Sequence, residues 1–248
     1  MRPFHVVVAL VTVSAVASAQ TPAKFPPDSL VNTKVIPHST PVPQVLAMMR
    51  GISGDLGVRC QFCHVGKEGQ PLSQFDFPSD DKRTKLVARQ MMSMLQEVNR
   101  RLDTIPARPT PGLRATCGTC HRGLNRPMPL ATHMVETATV SGADSAVRSY
   151  RALRARYYGR DAYDFGEPTL NMAAFQLARA GKYDEALALL KLNEEQYPAS
   201  SSVYANRGNV VLLRGDTAAA TAAFREAVRR DSTNMEARGR LRDLGQRP

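Results

Sequence analysis

Two pentapeptides, Cys60-Gln61-Phe62-Cys63-His64 and Cys117-Gly118-Thr119-Cys120-His121, constrain this 248-residue chain more than any other feature. Both read Cys-x-x-Cys-His, and together they use all 4 cysteines. Two residues between the thiols let both sulfurs reach one macrocycle while the adjoining imidazole points at its centre. That is the attachment pattern of c-type haem, with thioethers to the porphyrin vinyls and a histidine on iron. Two Cys-x-x-Cys pairs also suit tetrahedral zinc, but zinc needs no histidine after each pair. A thioredoxin-like dithiol belongs beside a βαβ pattern, which neither flank shows. The motifs predict two covalent haem c groups, held by Cys60, Cys63, Cys117 and Cys120, with His64 and His121 as axial iron ligands.

The first 19 residues read as a secretory leader: Arg2, an apolar run from Val6 to Val13, and the small-residue cleavage site Ala17-Ser18-Ala19 before Gln20. The run is short for a membrane span, and no later run approaches that length. Export to the periplasm or another extracytoplasmic space fits the cysteine usage, since the thiols would pair as disulfides there unless haem took them. The leader holds one formal charge, Arg2, so the net +11 becomes +10 on cleavage. Four haem propionates leave roughly +6 with ferrous iron, a basic surface suited to redox partners with acidic docking faces. No basic run or recognition motif points to nucleic acid. No nucleophile-base constellation, phosphate loop or carboxylate pair stands out.

Residues 20–33 form a Pro-rich extended lead-in. Thr40-Pro41-Val42-Pro43 then opens a helix carrying Val45, Met48, Met49, Ile52 and Leu56 at helical spacing, with Gly57 as its stop. This helix ends three residues before Cys60, and Met48 or Met49 is the nearby candidate for a sixth iron ligand. A second helix, capped by Ser79 or Asp80, runs to about Leu102 with an apolar stripe of Val87, Met91, Met94, Leu95, Val98 and Leu102. Pro106, Pro109 and Pro111 then force a loop into the second motif. The order methionine-bearing helix, loop, Cys-x-x-Cys-His thus occurs twice.

Residues 34–130 resemble the cytochrome subunit of photosynthetic reaction centres. The resemblance rests on Met49-Arg50-Gly51 leading to Leu56-Gly57-Val58-Arg59-Cys60, then Ser79-Asp80-Asp81-Lys82, Thr84-Lys85, Ala88-Arg89-Gln90-Met91 and Thr116-Cys117 through Cys120-His121-Arg122-Gly123. It implies a haem-organised helix and loop domain, with Met49 opposite His64 and Met91 opposite His121, Met48 and Met94 being the alternatives. This chain has two haem motifs where that subunit usually has four.

Past Pro129 the composition shifts to alanine and arginine, which reads as a linker over residues 131–141 before a helical region at 142–248. There Ala174 and Gly208, Gly181 and Gly215, Ala186 and Ala220, Leu190 and Phe224, and Asn193 and Ala227 recur 34 residues apart. That period, with Pro198 closing the first unit, resembles tetratricopeptide repeats, whose concave face binds a protein partner or another copy. The expected fold is therefore mostly α, a multihaem cytochrome domain followed by an α-helical solenoid. The expected function is an exported dihaem electron carrier between redox proteins, rather than an enzyme. The alternative is a peroxidase-like dihaem enzyme with one open iron position, for which His38 or His133 would be the distal group.

Overall fold

The chain is helical wherever its apolar residues recur at helical spacing. The computed structural model describes residues 24–107 and 109–247, so the leader expected at 1–19 lies outside the described residues. Among the described residues there are nine α-helices, two short 3-10 turns and one isolated bridge, Val65 to Asp76. No described helix is long and apolar enough to cross a membrane. Contacts divide the chain into two compact units. One holds the described residues up to Ser53 with Arg59–Arg114, the other Gly54–Val58 with Ala115 onward.

Helix α1 (Val42–Leu56) opens on Pro41, whose carbonyl accepts from the N–H groups of Gln44 at 3.0 Å and Val45 at 3.2 Å. It stops at Gly57, whose φ of +64° is open to glycine at little cost. Helix α2 (Arg83–Leu102) ends where the sequence predicts but begins later than a cap at Ser79 or Asp80 would place it. The cause is competition for those groups. The Ser79 hydroxyl accepts from the Asp81 N–H at 3.1 Å, and the Asp80 carboxylate is taken by Lys85 and Arg89. Residues 79–82 are thereby held outside the helix, and Lys82 precedes it with no side-chain cap.

This first unit has little core of its own: Val45 and Phe75 are its buried apolar residues, and the one buried residue of α2 is Lys85. The stripe of Val87, Met91, Met94 and Val98 is 48%, 41%, 53% and 39% exposed.

The second unit contains α3 (Cys117–His121), α4 (Leu130–Tyr157) and five further helices. These are α5 (Glu167–Arg179), α6 (Tyr183–Gln196), α7 (Ser201–Leu213), α8 (Thr217–Arg230) and α9 (Met235–Asp243). Residues 131–141 are not the linker that composition suggests. They are the first arm of α4, with Ala131, Met134 and Ala138 buried in the main core. Gly142, at φ 81° and ψ 171°, breaks the helix. His133 Nε2 lies 3.0 Å from Ser149 Oγ, 16 residues on, whereas a straight helix would separate them by about 24 Å. The element is therefore a hairpin.

Burial holds the His133 imidazole below its ordinary value of 6.5, against an upward pull from Glu136, with Arg126 also lowering it. Folding thus disfavours its protonated form, so its contribution to stability is fullest above pH 6.5 and declines as the unfolded chain takes up the proton below it. Thermal melting of the full chain at pH 7.5 and 5.5 should show a smaller loss on acidification for His133→Gln than for the native protein. Equal losses would remove His133 from the account.

The remaining helices pack in pairs with a strict register. Helices α5 and α7 begin and end 34 residues apart, as do α6 and α8. Gly181 and Gly215, at φ 76° and 94°, make the same left-handed turn between partners. Ala174, Ala186, Leu190, Ala220 and Phe224 are fully buried. The joint where the first helix of each pair meets the second is also kept, although its donor changes sides. Asn193 Nδ2 donates to the Glu167 carbonyl at 2.9 Å, while at the equivalent positions Ser201 Oγ donates to the Ala227 carbonyl at 2.8 Å.

Candidate haem-attachment sites

The second motif is a single helical turn. Thr116 caps α3 through a reciprocal pair, its hydroxyl accepting from Thr119 N–H at 3.3 Å and its N–H donating to Thr119 Oγ1 at 2.9 Å. Spacing of i, i+3 and i+4 on a helix places Cys117, Cys120 and His121 on one face. Arg122 and Gly123, at φ 49° and 83°, turn the chain sharply away. The turn returns the Leu124 carbonyl to 2.7 Å from His121 Nδ1. A carbonyl can only accept, so Nδ1 carries the proton and Nε2 keeps its lone pair, the arrangement that metal-binding histidines require.

The end of α1 braces this turn. Gly123 N–H donates to the Asp55 carbonyl at 2.8 Å, and a side chain on Gly57 would collide with the Gly123 carbonyl. A Cβ on Gly118 would lie 2.7 Å from Asp55 Oδ1. The two central glycines of this clasp are thus required by close approach. Burial pushes the Cys117 thiol above its ordinary value, and the Asp55 charge adds to the effect.

The first motif is built the same way from a 3-10 turn, Cys60–Phe62. The N–H groups of Cys63 and His64 both donate to the Cys60 carbonyl, at 3.2 and 2.9 Å, which again sets two thiols and an imidazole on one face. The Thr84 hydroxyl of α2 donates to the Phe62 carbonyl inside the motif. The His64 ring packs edge-on to Phe77 with centroids 4.9 Å apart, and its Nδ1 is buried without a hydrogen-bond partner. Burial holds this imidazole below its ordinary value, and the Lys85 and Arg89 cations lower it further against a pull from the Phe77 backbone. Burial also raises the Cys63 thiol, as does Cys60, while Lys82 and Thr84 oppose them.

Met49 lies half-buried on α1 beside the more exposed Met48. Met91 and Met94 project from the uncovered stripe of α2. His38 is exposed in the lead-in to α1, and His133 is engaged with Ser149 within the α4 hairpin. Among the described residues no group of three or more His, Cys, Asp or Glu side chains converges as a bare metal ion would require. The donor set fits haem c: two one-sided Cys, Cys, His turns, a fixed Nδ1–H tautomer at His121, and an apolar stripe on α2 left 39–53% exposed. Sequence reasoning missed Lys85, whose ammonium organises the surroundings of His64.

Residues 70–159 match the family model of the photosynthetic reaction centre cytochrome C subunit. The matched stretch takes in α2, the second motif and the whole α4 hairpin, so it reaches past residue 130 and begins after the first motif. The matched family is one of c-type cytochromes, and the likeness implies covalent haem, electron transport and a redox protein partner; the four cysteines at 60, 63, 117 and 120 fit two such sites. No significant match to a curated protein was found.

Proposed function

We propose that the chain is an exported dihaem c-type cytochrome that passes electrons between redox proteins outside the cytoplasm. The observation that carries this reading is the doubled turn, in which one helical face presents Cys60, Cys63 and His64, and another Cys117, Cys120 and His121. Haem c, when bound, would supply an iron that alternates between ferrous and ferric, and ligation by histidine and methionine would raise the potential at which it does so. The four cysteines would tether the two haems, and His64 with Met49 and His121 with Met91 would ligate their irons. Val87, Met94 and Val98 exclude water. Residues 34–130 carry the two sites, and the paired helices beyond form tetratricopeptide-like units that dock the carrier to a protein partner or to further copies.

A pyridine haemochrome assay with intact mass on protein from a maturation-competent periplasm should find two covalent haems and cleavage before Gln20. The oxidised protein should absorb at about 695 nm, the signature of methionine on ferric haem. Met49→Leu and Met91→Leu should each remove about half of that band while keeping both haems attached. An unaltered band in both variants would reassign the ligands, and a colourless product would end the reading.

A further inference from the structure

One buried ammonium in α2 gathers the backbone beside the first site around itself. Lys85 is 9% exposed, and its Nζ donates to the carbonyls of Phe77 at 2.8 Å, Pro78 at 2.9 Å and Ser79 at 2.7 Å. Asp80 Oδ1 lies 3.1 Å from the same nitrogen. An ammonium has three protons, so all are committed to the chain itself. Three consecutive carbonyls converge on one point only when the backbone curls round it, and Lys85 thereby fixes the turn that carries Phe77. The Phe77 ring, backed by Phe75 at 5.6 Å and Phe25 at 5.5 Å, is the one packed edge-on to His64.

The neighbours on α2 serve the same assembly. Thr84 bonds the first motif at Phe62, and Arg89 bonds Asp80 at 2.9 Å and the Asn32 carbonyl at 2.8 Å. Asn32 in turn donates to the Pro78 carbonyl at 2.7 Å. Two cations share one carboxylate here, which leaves one positive charge in excess. Both side chains are mostly withdrawn from water, at 11% and 15% exposure, so solvent screens that charge weakly.

We infer that Lys85 is the positioning residue of the first iron site: it fixes the Phe77 turn against His64 and, with Arg89 over Asp80, provides a net positive field that favours the reduced form of the group His64 binds. The inference rests on His64 being an axial ligand. Reduction adds a negative charge beside a fixed positive one, so removing the positive charge favours oxidation.

The test is a potentiometric titration of the matured holoprotein, with each low-spin haem followed separately by electron paramagnetic resonance. Lys85→Met should raise the oxidised-to-reduced ratio of one haem about tenfold at a fixed poise, ~59 mV for one electron, and leave the other unchanged. Asp80→Asn should move the same haem several-fold in the opposite direction, and Lys85→Arg should restore most of the native value. Opposite signs are the discriminating result, because loosening of the turn alone would move both variants the same way. Shifts below about twofold in both variants, shifts of one sign, or equal shifts at both haems would overturn the inference. Should Lys85→Met fail to mature, Asp80→Asn decides alone, since its carboxylate is partly solvent-exposed. Peptide mass showing no haem on Cys60 and Cys63 of the native protein would instead refute the attachment reading, and the inference with it.

Discussion

Made without haem, or with Cys60, Cys63, Cys117 and Cys120 all changed to serine, the chain should lose the tertiary structure of its first unit while α4 to α9 stay folded. The asymmetry follows from where apolar surface is buried. Ordering a residue costs roughly 1–2 kcal/mol of backbone entropy, and burying one large apolar side chain returns about 1.5–3 kcal/mol. The first unit buries Val45 and Phe75 and leaves Val87, Met91, Met94 and Val98 outside. Its polar bonds around Lys85 do not make up the shortfall, because each is an exchange with water worth about 1.5–3 kcal/mol even with a charged donor, and they are few beside the number of residues to be ordered. Helix α2 buries only Lys85 and so lacks the packed apolar face from which most helical stability comes. In the second unit Met134, Tyr150, Leu170, Leu177, Leu189, Leu190 and Phe224 are all under 2% exposed. Hydrogen exchange of the haem-free chain should show amides of residues 83–102 exchanging as in an unfolded chain, with slow exchange kept across 167–230. A cooperative, protected first unit in the absence of haem would contradict this. Its core would then have to come from the protein alone.

Much of this arrangement is legible in the sequence because it depends on local chemistry. Pro41 opens α1 and Gly57 closes it, since proline lacks a donor that the first turn does not use and glycine tolerates the left-handed exit. The Cys-x-x-Cys-His spacing encodes its own one-sided turn. The 34-residue register survives because Gly181 and Gly215 are needed by backbone angle. What the sequence conceals is tertiary. Asp80 has the chemistry of a helix cap, yet Lys85 and Arg89 claim its carboxylate, and nothing in the spacing shows that claim. Lys85 itself looks like one more solvated charge on an amphipathic helix. Residues 131–141 look like a linker because the composition shifts past Pro129 toward alanine and arginine, but a helix needs few large side chains when Met134 and Ala138 meet a waiting core. The fold-back at Gly142 is equally hidden, since a glycine inside a helical pattern is as often tolerated as it is a break.

Truncating Phe224 to alanine is expected to destabilise the second unit by about 3–5 kcal/mol, the usual cost of an uncollapsed cavity where a buried phenyl ring stood. The ring is fully buried, and it fills the space above Gly208, where a Cβ would lie 2.5 to 2.8 Å from three of its carbons. Gly208→Ala alone should therefore destabilise, because an overpacking cost of about 1–3 kcal/mol exceeds the roughly 1 kcal/mol that alanine gains over glycine in a helix. In the first pair the equivalent positions are Ala174 and Leu190, a larger residue opposite a smaller one, and both are fully buried. The two pairs thus divide one volume differently between the same two positions. Combining Gly208→Ala with Phe224→Leu copies the first pair's solution into the second. The double variant should be more stable than the sum of the single changes by about 1 kcal/mol or more, a coupling that denaturant melts of all four proteins can resolve. Additivity within about 0.5 kcal/mol would mean that the two positions do not share a volume and that the 34-residue register holds only along the backbone.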